Sequence, residues 1–86
     1  MKRTHKGPLR GILATNMRRL RAARDLTQEA LAHESGINRT YLSSVERAER
    51  NVSIDNIERI ARGLQVEAST LLKDTRKRPS DKSAAA

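Results

Sequence analysis

The sequence predicts an all-α fold, a compact five-helix bundle. Three observations carry that prediction. Apolar residues recur at three- and four-residue spacing in separate segments, as on the buried face of a helix. Thr27, Asn38 and Ser53 stand directly ahead of such segments, where helix N-caps belong. No segment reads as a strand, and nothing in the chain repeats.

Residues 1–8 end in Gly7-Pro8 and read as a flexible basic arm. The stripe Leu9, Ile12, Leu13, Met17 and Leu20 predicts helix 1 over about 9–24. Arg18, Arg19 and Arg24 lie off that stripe. Thr27 caps helix 2, because its hydroxyl can take an unpaired first-turn N–H. Glu29 suits the positive end of that helix, and Ala30, Leu31 and His33 face inward or along its edge. Gly36 then breaks the pattern and reaches a left-handed conformation without steric cost. Asn38 caps helix 3, expected over about 39–48. Ser53 caps helix 4, whose stripe is Ile54, Ile57, Ile60, Ala61 and Leu64, with Gly63 at its end. A short helix 5 near 67–73 offers Leu71 and Leu72 beside Val66. The expected organisation is an arm over 1–8, one folded domain over 9–74, and a basic tail over 75–86. Charge, Pro79, Ser80 and a run of Ala predict disorder in that tail.

Eighty-six residues suffice for one domain with a small core. There is no Cys, hence no disulfide and no thiolate metal site. No apolar run is long enough to span a membrane, and the basic N-terminus lacks the apolar core of a signal peptide. A cytoplasmic location is expected. A single aromatic residue, Tyr41, argues against a stacking platform for single-stranded nucleic acid. The net charge of +8 points to a polyanionic partner. Its distribution is uneven. Lys2, Arg3, Lys6 and Arg10 face no acid in residues 1–10, and Lys73, Arg76, Lys77, Arg78 and Lys82 outnumber Asp74 and Asp81. Residues 11–72 hold nine Arg against eight acids, so the ends carry most of the excess.

The stretch TQEALAHESGINRTYLSSVE, Thr27 to Glu46, reads as two short helices joined by a turn at Gly36. In helix 3, Tyr41, Leu42 and Val45 share the buried face. Thr40, Ser43, Ser44 and Arg47 form an outward stripe at i, i+3, i+4 and i+7, and Arg39 opens the helix beside it. Acids are absent from residues 38 to 45. Small hydroxyls and Arg let a helix approach base edges without repelling phosphate. Glu46 falls one turn from Leu42, near the buried edge, and needs a partner there.

The order Thr27-Gln28-Glu29, Leu31-Ala32, Gly36-Ile37, Tyr41-Leu42 and Val45-Glu46-Arg47 resembles the Cro/C1-type helix-turn-helix family, also called the xenobiotic-response-element family. The resemblance covers roughly residues 13–72. It implies a five-helix bundle of the lambda-repressor-like DNA-binding type, with the helix-turn-helix in helices 2 and 3. It also implies a sequence-specific regulator of transcription, repressor or activator, that binds double-stranded DNA. Arg39, Thr40 and Ser44 match positions that touch base edges in relatives, with Ser43 beside them. Gln28 matches a glutamine that binds phosphate through its side chain and the helix N-terminus. Free N–H groups and the helix dipole favour an anion there, next to Thr27. Asn38 caps helix 3 and is placed to meet the DNA backbone. In the loop after helix 3, which relatives use on phosphates, Arg50 and Asn51 are the first choices and Arg47 follows. Arg21 and Glu46 match a charged pair that links helices 1 and 3. One residue departs from the pattern. Many relatives have Gly after Glu-Arg, and this chain has Ala48, so either helix 3 runs on or Ala48 takes a strained turn.

Members of the family usually dimerise on near-palindromic operators, with half-site centres about 34 Å apart or a multiple of that. Val66, Leu71 and Leu72 are the apolar residues expected at a homodimer interface, with Ile54 or Ile57 beside them. No cofactor, metal or small-molecule effector is expected, since no second ligand-binding domain is evident. His5 and His33 stand apart, with no Cys and no paired carboxylates, so an enzyme is not expected. The alternative from another class is an antitoxin that binds a toxin protein and represses its own promoter. Residues 75–86 lack the apolar anchors such a contact needs. A restriction–modification controller protein fits the 86-residue format better.

Overall fold

The computed structural model describes residues 7–75. It contains α1 Leu9–Ala23, α2 Gln28–Ser35, α3 Arg39–Glu46, α4 Ile54–Leu64 and α5 Ala68–Leu71, and no strand among the described residues. All but Gly7, Pro8 and Thr75 of the expected arm and tail lie outside the described residues.

Three N-caps act as expected. Thr27 Oγ1 accepts from Ala30 N at 3.0 Å, Asn38 Oδ1 from Tyr41 N at 3.1 Å, and Ser53 Oγ from Asn56 N at 3.1 Å. Helix 1 starts at Pro8 without a side-chain cap. The C-terminal ends share one device. Asp25, Gly36, Ala48 and Gln65 each take a left-handed φ between 58° and 68°. Each donates its N–H to the carbonyl three residues back, and its successor donates to the carbonyl five residues back. The successors Leu26, Ile37 and Val66 then pack against the core. The fourth, Glu49, is an acid whose side chain is 55% exposed.

Four expected boundaries are corrected, those of helices 1, 3 and 4 by that device. Helix 3 stops at Glu46 rather than running to 48, because Ala48 turns left-handed at φ 62°. Helix 1 stops at Ala23, and helix 5 shrinks to Ala68–Leu71. Gly63 does not end helix 4; Gln65 does. Gly63 instead allows close packing, since a Cβ there would stand 2.3 Å from Ser35 Oγ on helix 2 and 3.1 Å from Leu31 Cδ1.

The core gathers Leu13, Met17, Leu31, Ala32, Leu42, Val45, Ile60, Ala61, Leu64 and Leu71. Helix 2 packs on α3 and α4, and α1 packs on α3 and α5. Leu71, expected at a self-interface, is wholly buried within the single chain. Over a four-residue helix, periodicity could not decide between Leu71 and Leu72.

Helix 1 and its C-cap residue Arg24 also supply polar ties that the apolar stripe did not announce. Asn16 is buried, and its Nδ2 donates to Leu71 O at 2.8 Å and Lys73 O at 2.9 Å, beyond helix 5. Arg18 donates to Glu46 O at the end of helix 3. Arg24 Nη1 donates to Gly63 O near the end of helix 4 at 3.1 Å. Each satisfies a carbonyl that a helix end leaves over. The one advance sign was Asn16 standing a turn from Ile12, in line with the apolar stripe.

Candidate nucleic-acid interface

The underside of helix 3 holds it in place. Leu42 and Val45 are buried, and Glu46 is only 2% exposed. A lone carboxylate there would be costly, and three hydrogen bonds meet it. Arg21 Nε donates to Oε2 at 2.8 Å and Arg21 Nη2 to Oε1 at 3.1 Å. Gln28 Nε2 donates to Oε1 at 3.0 Å. Arg21, 22% exposed, also donates to Leu26 O at 2.9 Å. One buried charge thus joins helices 1, 2 and 3. The expected Arg21–Glu46 pair is present, and Gln28 joins it. The Gln28 amide is thus engaged inward.

The outer face differs. Arg39 and Thr40 are exposed and Ser43 is half-buried. With Arg47 they line a groove of about 210 Å³. Thr27, Asn38, Arg50 and Asn51 are exposed as well.

Ser44 departs from the outward stripe. It is 5% exposed, its Oγ donates to Tyr41 O at 2.6 Å, and it accepts from Arg50 Nε at 2.9 Å. The i, i+3, i+4, i+7 spacing spans a wide arc, and Ser44 lies on the edge of it that the following loop covers. Arg50 therefore has two supports, since its guanidinium also lies over the Tyr41 ring, 5.5 Å from the centroid. Tyr41 is half-buried, and its hydroxyl accepts from Asn56 Nδ2 at 3.2 Å. Arg59 Nη1 donates to Asn56 Oδ1 at 2.8 Å. Sequence reasoning placed Tyr41 in the core and passed over Asn56 and Arg59. Nothing in their spacing signals this chain of contacts, which crosses from helix 3 to helix 4.

Arg47 is engaged along the groove. Its Nη1 donates to Ser43 Oγ at 2.7 Å, and its Nε and Nη2 donate to the two Glu49 oxygens at 3.1 Å each. The Glu49 hydrogen bonds, and then its charge, hold Arg47 protonated even more firmly than usual.

A helix-turn-helix with a buried rear and a cationic, hydroxyl-bearing front is the form that sits in a DNA groove. The helix-turn-helix family model matches residues 17–71. The chain belongs to the Cro/C1-type helix-turn-helix family. A hypothetical transcription factor of Neisseria meningitidis serogroup B is 47% identical over 64 residues, 74% of this chain and 60% of that protein. The match thus spans less than two thirds of that relative's length. Control protein C.BamHI of Bacillus amyloliquefaciens is 42% identical over 65 residues, 74% of this chain and 80% of that one. The restriction-modification controller protein C.AhdI from Aeromonas hydrophila superposes with a TM-score of 0.68 at 43% identity, over 70% of this chain and 91% of that one. By their names these relatives are a transcription factor and two controller proteins. Among the described residues no helix is long and apolar enough to cross a membrane.

Proposed function

We infer that this protein is a controller-type transcription regulator of the cytoplasm that binds a near-palindromic operator as a homodimer. One observation carries the reading: the exposed groove of helix 3 presents Arg39, Thr40 and Ser43, while the only acid in that helix is buried and paired. Arg39 can meet guanine O6 and N7 with two parallel hydrogen bonds, and Thr40 a thymine methyl or a base acceptor. Ser43 lies beside them. Ser44 is assigned to holding Arg50 rather than to base contact. Backbone phosphates fall to the N-termini of helices 2 and 3, at Thr27, Gln28 and Asn38, and to Arg50 and Asn51 after helix 3, while Arg47 keeps its bonds to Ser43 and Glu49 along the groove.

Support for a homodimer comes from apolar surface that the single chain leaves uncovered. Ile54 is 83% exposed. Ile57, one turn on, and Val66 and Leu72 are half-buried. The names of the relatives favour a controller protein over an antitoxin.

Selection of bound duplexes from a random pool tests the whole reading. The expected product is a two-fold symmetric site with half-site centres about 34 Å apart, or a multiple of that. Random duplex that competes as well as the selected site would overturn sequence-specific binding. A selected site without symmetry would overturn the dimer.

A further inference from the structure

The groove-lining cation Arg47 carries a carboxylate on its back. Glu49 takes two of its hydrogen bonds, and Ser43 takes a third. Both Arg47 and Glu49 are 55% exposed. A pair so wet is worth little to folding, yet it stands where the chain meets a polyanion. Glu49 is also the successor residue at the end of helix 3, where the other three helix ends place an apolar residue against the core. Its carboxylate therefore adds no such core contact, and it lies beside the reading helix instead.

We propose that Glu49 is a specificity-determining residue: its carboxylate occupies the Arg47 fork that a phosphate would otherwise take, and so suppresses binding to DNA of arbitrary sequence. The proposal rests on the DNA-binding reading of helix 3. On random duplex, a phosphate competes with a tethered carboxylate for the same N–H groups, and the net gain is small. On the selected site, helix 3 docks by its base contacts, and Arg47 stays aligned along the groove by Ser43 and Glu49. The carboxylate thus lowers non-specific affinity more than specific affinity, which raises the ratio between them.

The test compares wild type, Glu49→Gln, Arg47→Gln and the double variant across salt concentrations. The probes are a random-sequence duplex and the duplex enriched by the wild-type protein. Glu49→Gln is expected to tighten random-duplex binding about five- to tenfold near 0.1 M salt, and to steepen its salt dependence by about one phosphate's worth of released counterion. Binding to the enriched duplex should change less, so discrimination falls. In the Arg47→Gln background the same substitution should no longer add a counterion to the slope. Random-duplex affinity and slope unchanged by Glu49→Gln would overturn the proposal while leaving DNA binding intact. So would an equal gain in slope with and without Arg47. Failure of the wild type to bind any duplex would overturn the DNA reading and this proposal together.

Discussion

Helix 3 has two sides built from the same kinds of residue and put to opposite use. On the inner side, Glu46 and Arg21 meet with Gln28 to satisfy a buried charge. On the outer side, Arg39 and Thr40 stand exposed over a groove. The inner polar groups have spent their hydrogen bonds within the protein. The outer ones can still offer theirs. The difference teaches that charge alone does not mark a reading residue; an unspent hydrogen bond on a fixed backbone does.

Substitutions can break that contrast or sharpen it. Arg21→Met should have the largest effect, because it strands the Glu46 carboxylate inside the protein. The expected loss is about 3–5 kcal/mol of stability, read by denaturant unfolding. The protein that remains folded should prefer the same bases. If stability holds within about 0.5 kcal/mol, Glu46 is wetter than its burial implies. Arg39→Ala should do the reverse. It should cost about 1–3 kcal/mol of binding at one base position, read by competition with single-base operator variants, and leave the unfolding midpoint in place. A loss spread evenly over all sequences would move Arg39 to the phosphates.

Ser44→Ala falls on the border between the two sides. It removes one support of Arg50, so about 1 kcal/mol of binding should go, evenly across sequences and without a new base preference. A change in preference would return Ser44 to the bases. Ala48→Gly is the smallest change expected. It relieves a left-handed alanine and should stabilise the protein by about 0.5–1 kcal/mol in thermal unfolding, with DNA binding unaltered. A loss of stability would mean that the methyl group packs better than the backbone strain costs.

Much of this arrangement was legible because it is local. Thr27, Asn38 and Ser53 announce helix starts within three residues of themselves, and Gly36 announces a helix end. The other three ends were obscure for a physical reason. Asp25, Ala48 and Gln65 adopt the conformation of Gly without being Gly, under the pull of the carbonyls they satisfy. Ser44 was misplaced because an eight-residue helix samples too few turns to fix which edge of a stripe the next loop will cover. Gln28 was read as reaching outward because its pull toward Glu46 depends on how three helices meet. The Arg50–Tyr41 contact and the Asn56 bridge depend on the path of the loop beyond Ala48, which no spacing reveals.

The donors of helix 1 and its C-cap bear on how the chain comes together. Asn16, Arg18 and Arg24 each satisfy a carbonyl at or just past the end of a different helix, between 28 and 57 residues away. Those ends cannot finish until helix 1 has docked. Unfolding should therefore be all-or-none, with the slowest-exchanging amides of helices 3 and 4 opening together with those of helix 1. A chain trimmed to begin at Met17 would keep every residue that the family model matches, yet lose Asn16 and with it the hold on helix 5. The cooperative unit extends further toward the N-terminus than the motif that reads DNA.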